Sequence, residues 1–222
     1  MKLEIHESVK QSSPNFSLGY IVVRNITVQG TPPSLAQEFF HLQVEAAKFY
    51  NIDELVDIPP FVSVRGMYKK NHFNPTRRNQ ASEDLVRRVL QRKGVYYVNS
   101  AVAVNNYCAL NFLLPFGLYD LDKIEGNITY QLDAESTYIN IAGKDVMANS
   151  KPFLADGKGI FGNPISDARR TAVTLTTRNV LLVVYADEEV ASEELTDILD
   201  FAGEMIVRHN GGTVDIQDII KP

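Results

Sequence analysis

Apolar and polar positions recur with two different periods along this chain, and the switches between them divide it into elements. Leu18 to Val28 (LGYIVVRNITV) is rich in β-branched residues and is bounded by Gly30 and the Pro32–Pro33 pair, which predicts a strand followed by a turn. From Ser34 the period lengthens: Leu35, Phe39, Leu42, Ala46 and Phe49 recur at three- and four-residue spacing, predicting a helix that closes near Asn51. A second helix is predicted from Ser82, read as its N-cap, with Glu83 and Asp84 in the first turn, a buried stripe of Leu85, Val86, Val89 and Leu90, and a left-handed exit at Gly94. Arg87, Arg88 and Arg92 fall largely off that stripe and are expected to look outward.

Beyond residue 125 the short period dominates. GNITYQL and STYINIAG read as strands, with Tyr138 and Asn140 on one face and Ile139 and Ile141 on the other. Thr171 to Thr176 and Val180 to Tyr185 are predicted as two more strands, and DGKGIFGNP as a turn-rich connection. Ser192 is read as the cap of a last helix, whose stripe is Leu195, Ile198, Leu199, Ala202, Met205 and Ile206, with Gly211–Gly212 after its end. The whole reads as mixed α and β. No Pro/Gly/Ser linker divides the 222 residues, so a single domain over 1–222 is expected.

Charge changes the picture. Residues 65–93 carry nine basic side chains, Arg65, Lys69, Lys70, Arg77, Arg78, Arg87, Arg88, Arg92 and Lys93, against Glu83 and Asp84, a net of +7 in a chain of net charge −5. General basicity does not explain that block. It is either a solvated helix face or a surface for a polyanion such as RNA. Asn74–Pro75 marks a turn that leaves Arg77 and Arg78 on a loop beside the helix.

Candidate chemistry is sparse. Asn105 and Asn106 stand side by side within 99–114 (NSAVAVNNYCALNFLL), a stretch that as a helix would place Val102, Asn106, Ala109 and Leu113 on one side. Asparagine is a poor helix former with an amide that must be matched if buried, so the pair either bonds backbone at a helix-to-loop junction or lines a polar pocket. Asp167, Arg169, Arg170 and Thr171 form a polar cluster, read as a structural ion-pair network or as a grip on an anionic or amino-acid ligand.

Familiar motifs are missing. His6, His41, His72 and His209 lie far apart and form no HExxH or Cys/His pair, so neither a metal nor any other cofactor is implied. No P-loop, dinucleotide fingerprint or nucleophile elbow occurs. Cys108, the lone cysteine, sits in an apolar stretch and reads as a buried thiol in a reducing compartment. The N-terminus MKLEIHESVK lacks a signal-peptide core and no run is long enough to span a membrane, so a cytoplasmic location is expected.

The run from Ser82 to Gly126, with LVRRVL, VNSAVAVNNYCAL and PFGLYDLDKIEG, resembles the tRNA-editing domain of the phenylalanyl-tRNA synthetase β subunit in a free-standing form. ADGKGIF and TTRNVLLVVY fit the same pattern, so the likeness spans roughly residues 60–186. It implies an α+β fold, a β-sandwich-like core of mixed strands with helices packed on one side, and a pocket that hydrolyses a wrong amino acid from tRNA. It implies no complete ligase.

The resemblance also marks departures. Gly117 stands where the editing domain has a histidine, Val183 where it has the glutamate that reads the hydroxyl of misattached tyrosine, and Asn105–Asn106 where it has Thr-Asn. A site that loses its hydroxyl reader loses discrimination of roughly 10⁴–10⁵ and keeps on the order of 10² from apolar fit. Ester hydrolysis still needs only a positioned water and donors to the oxyanion, which Asn105, Asn106 and the backbone around Gly117 can supply. The resemblance thus assigns Asn105, Asn106 and Gly117 to catalysis. Val183, Asp167 and Arg170 are assigned to the substrate pocket, and Lys69, Lys70, Arg77, Arg78, Arg87, Arg88 and Arg92 to RNA.

Three functions follow: a tRNA-binding protein that deacylates mischarged tRNA in trans, a non-catalytic module that binds RNA or an amino acid, and an interaction domain whose basic helix meets an acidic protein.

Overall fold

The computed structural model describes residues 1–70 and 80–222, apart from the side chains of residues 67, 68 and 70. Its first half holds β1 (Leu3–Ile5), α1 (Glu7–Ser12), β2 (Ser17–Arg24), α2 (Pro33–Phe49), α3 (Pro59–Lys70), α4 (Ala81–Leu90) and α5 (Ser100–Phe112). The second half holds β3 (Phe116–Asp120), β4 (Ile128–Asp133), β5 (Thr137–Ile139), β6 (Asp145–Met147), β7 (Lys151–Asp156) and β8 (Gly159–Gly162), then β9 (Val180–Ala186), α6 (Ser192–Asn210) and β10 (Thr213–Ile220).

Two four-stranded sheets organise the fold. One runs β1-β4-β7-β8, with β1 parallel to β4 and the other pairs antiparallel. The other runs β10-β2-β9-β3 and is antiparallel throughout. Strand β9 (VLLVVYA) is buried at every position because each of its faces meets a different core. Leu181, Val183 and Tyr185 face the first sheet, packing with its Tyr130, Phe153 and Phe161 and with Tyr119 of the neighbouring β3. Val180, Leu182 and Val184 face Leu35, Phe39, Val86, Val104 and Leu199 from the helices. Each fully buried side chain of this size contributes roughly 1.5–3 kcal/mol. An α+β fold with two facing sheets results, with α2, α4, α5 and α6 in the helical core. Helix α1 departs from that plan, since Val9 joins the core between the sheets, and α3 bridges the two, giving Phe61 to the helical core and Val64 to the other.

Several elements differ from their sequence expectations, each for a local reason. Strand β2 stops at Arg24 because Asn25 takes a left-handed φ of 59°, a conformation asparagine tolerates. Ile26 and Val28 remain buried but lie in a loop, where the Ile26 N–H donates to Arg178 O at 2.8 Å. Helix α4 starts at Ala81, with Gln80 in the extended cap position, so Ser82 is fully buried inside the first turn rather than capping it. Likewise Ala191, not Ser192, holds the cap position of α6.

DGKGIFGNP is a hairpin, β7 turning into β8 through a positive-φ Gly159, and not a connection. Thr171 to Thr176 forms no strand. Arg169–Thr171 is a short 3-10 turn, and the threonines that follow bond within the loop: Thr174 N–H donates to Thr177 Oγ1 at 2.9 Å, and Thr177 Oγ1 donates to Asp120 Oδ2 at 2.7 Å. In α5, Ala101, Val104, Cys108 and Ala109 are among the buried residues, and the asparagines are turned toward a cavity. Burial pushes the Cys108 thiol up, which makes it an inert apolar filler.

Candidate functional site

A cavity of about 240 Å³ lies between α5, β3 and the 167–173 segment. Asn99 sets two of its walls, because its Oδ1 accepts from Val102 N at 2.9 Å to cap α5 and its Nδ2 donates to Val173 O at 3.5 Å. The third wall is tied in by Lys123, whose Nζ donates to Ala172 O at 2.8 Å and pairs with Asp120 at 3.0 Å. Val98, Val102, Leu118, Ile141 and Val173 supply an apolar lining, and Asn105, Asn106 and Asp167 supply the polar groups.

The asparagine pair therefore belongs to a pocket, the second of its two sequence readings. Asn105 Oδ1 is buried with no hydrogen-bond partner among the described residues. An unmatched buried acceptor costs on the order of 1–3 kcal/mol, which a ligand donor would recover.

Asp167 faces them. Its Oδ1 accepts from Tyr119 Oη at 2.8 Å and from Asn163 N at 3.3 Å, while Oδ2 has no hydrogen-bond partner among the described residues. Tyr119 spends its only proton on Asp167, so the contact at 3.0 Å is Tyr185 Oη donating to Tyr119 Oη. Burial pushes the Asp167 carboxyl up to about 7 despite these donors, which act in the opposite direction. The group can thus hold or release a proton near neutral pH.

Gly117 is a cross-strand partner of Val183 on the inner face between the sheets. Tyr119, two residues along the same strand, lies back over Gly117. A Cβ built on Gly117 would sit 2.6 Å from Tyr119 Cζ and closer still to its hydroxyl, and one built on Gly162 would also strike that hydroxyl. Two glycines on facing sheets thus make room for one phenol. Tyr119 also meets the Phe161 ring edge-on at 5.0 Å. Val183 is fully buried in this core, so neither Gly117 nor Val183 lines the cavity.

Arg170 is separated from Asp167 as well. It makes a bidentate pair with Asp156 at 2.6 and 3.1 Å, donates to Gly159 O, and lines a neighbouring cleft of about 560 Å³ with Lys158 and Arg169. Of the expected polar cluster, Asp167 and Thr171 reach the asparagine cavity. Tyr119 reaches Asp167 from a distant strand, and Asn163 lends its backbone N–H from four residues upstream; neither role carried a signal in the sequence.

The basic segment is partly neutralised from within. Glu83, in the first turn of α4 as expected, is fully buried and holds Arg87 at 2.8 Å and Arg65 at 2.6 Å, the latter pair lacking hydrogen-bond alignment. Arg87 therefore turns inward. Arg88 lies 4.0 Å over the Tyr96 ring and donates to Gly94 O at 3.0 Å. Lys69, Arg92 and Lys93 are exposed. The Lys70 side chain, Arg77 and Arg78 lie outside the described residues. The described chain resumes against the site, with Ala81 N–H donating to Pro164 O at 2.9 Å.

Among the described residues no group of His, Cys, Asp and Glu is arranged to hold a metal ion, and no helix is long and apolar enough to cross a membrane.

The chain is 30% identical over 119 residues to the phenylalanine–tRNA ligase β subunit of Bifidobacterium longum, a match covering 50% of this chain but 13% of that protein. It therefore spans a small part of that relative's length. The Bacillus subtilis protein YhzB is 19% identical over 216 residues, 96% of this chain and 97% of its own. Among solved structures, an N-terminal fragment of the phenylalanyl-tRNA synthetase β subunit from Pyrococcus horikoshii aligns at a TM-score of 0.45 and 12% identity, covering all of this chain and 54% of the fragment. Residues 64–209, more than half of the sequence and including every residue of the cavity, match the B3/4 domain. The chain belongs to the B3/4 domain family and contains a phenylalanyl-tRNA synthetase β-subunit-like domain.

Proposed function

We propose that this protein binds tRNA and hydrolyses a misattached amino acid from it in trans. The observation that carries the reading is the convergence of Asn105, Asn106 and Asp167 on one amino-acid-sized cavity. In the step proposed, a water attacks the ester carbonyl carbon and the bond to the ribose oxygen breaks, giving the free amino acid and a ribose hydroxyl. Asp167 Oδ2 takes the water's proton and returns it to the ribose oxygen, a task suited to a carboxyl that titrates near neutrality. The Asn105 and Asn106 amides donate to the oxyanion or orient the substrate. The apolar lining holds the amino-acid side chain.

Single-turnover release of amino acid from correctly and wrongly charged tRNAs, tyrosyl-tRNA(Phe) among them, tests this with wild type and Asn106→Ala. Selective release lost in the variant is the expected result. No release above background, at protein concentrations that bind tRNA, favours a second reading. In that reading the protein is a non-catalytic module that binds RNA or an amino acid. Its specific support is that Gly117 and Val183 contribute no polar group to the cavity.

A further inference from the structure

We propose that the segment 96–98, with the cations beside it, is a stacking platform that leads a single-stranded 3′ RNA end into the Asn105–Asn106–Asp167 cavity; this deepens the function proposed above and rests on RNA being the partner. Three consecutive large apolar side chains stand in solvent here, Tyr96 at 55%, Tyr97 at 42% and Val98 at 66% exposure. Such a run on a surface is costly unless something covers it.

Its surroundings say what fits. Arg88 stacks 4.0 Å over Tyr96 and is pinned by its bond to Gly94 O, so one face of the ring carries a fixed cation. Arg92 and Lys93 are exposed and make no ion pair among the described residues. Tyr97 is held by its edge contact with Phe39 at 5.7 Å and by Gln43 Nε2, which donates to its hydroxyl at 3.0 Å. Val98 is itself part of the cavity wall. Asn99 then fixes the end of the segment at the start of α5.

Cations, a preset aromatic face and the cavity therefore follow one another along a single irregular stretch of chain between α4 and α5. Phosphates meet Arg92 and Lys93, a base stacks on Tyr96, and the terminal ribose with its ester arrives at Val98. Aromatic faces accept any base, and the positive charge tracks the backbone, which is the chemistry of single-stranded nucleic acid rather than of duplex.

Anisotropy titration of a short labelled single-stranded RNA ending in CCA, and of a blunt hairpin of equal charge, tests the platform. Wild type is expected to prefer the single strand. Tyr96→Ala is expected to weaken it about 5- to 150-fold, while Tyr96→Phe retains it. Arg92→Glu combined with Lys93→Glu should flatten the salt dependence. Unchanged binding by Tyr96→Ala, or equal binding of the hairpin, overturns the proposal and leaves the surface to a protein partner. Failure of the hydrolytic reading is seen separately, as absent amino-acid release with single-strand binding intact.

Discussion

Asp167 is the residue on which pH dependence turns. Because its folded carboxyl titrates at about 7, well above an unfolded aspartate near 4, the native state binds the extra proton between those values. Stability contributed by this group is therefore greatest at low pH, falls as pH rises from about 4 to about 7, and is flat above. Asp167→Asn is expected to remove that slope from thermal melts taken across the same range. If Asp167 is the base, hydrolysis should rise through pH 7 in wild type and lose this limb in the variant. At the same scale, the asparagine pair was legible in the sequence because two poor helix formers in a helical run demand an explanation. Tyr119 was not legible. Its placement depends on Gly117 beside it and on Gly162 of the other sheet, and no local pattern joins those positions.

Helix α4 shows how an element can be found correctly and its surface misjudged. Leu85, Val86 and Val89 are buried as the period requires, but Glu83 is drawn inside by Arg65 of α3 and Arg87 of its own helix. Helical spacing places Arg87 off the stripe, while a counter-charge supplied by another turn decides where its guanidinium goes. Glu83→Ala leaves two half-buried cations unpaired and is expected to lower stability by about 2 kcal/mol in urea unfolding, less than a fully buried pair because both arginines reach solvent. The same variant should tighten non-specific polyanion binding. Thr171 to Thr176 misled in the opposite direction: β-branched residues suit a strand, yet here their hydroxyls and Asp120 close a loop against β3.

For the whole molecule, the two cores explain why α4, which carries Arg87 and Arg88, stands beside the cavity: α4 and α5 pack on the same sheet face, and the start of α4 bonds to the loop that carries Asp167. With Arg65 and Arg87 committed to Glu83, at most seven of the nine basic side chains of the block can meet phosphates. The slope of log K for single-stranded RNA against log salt should then not exceed about 5 in magnitude, against about 6 for all nine. A slope at the larger value would mean that RNA opens the Glu83 pairs.

The sequence by itself determined the mixed α and β character, the helices α2, α4 and α6, strand β9 and the unusual asparagines, because periodicity and composition are local properties of the chain. Only the tertiary structure decided that Asp167 joins Asn105 and Asn106, that Arg170 does not, and that Gly117 and Val183 lie in a sealed core. Those outcomes depend on which sheet face meets which, and on which buried charge finds a partner. Both are settled by packing between residues far apart in the chain.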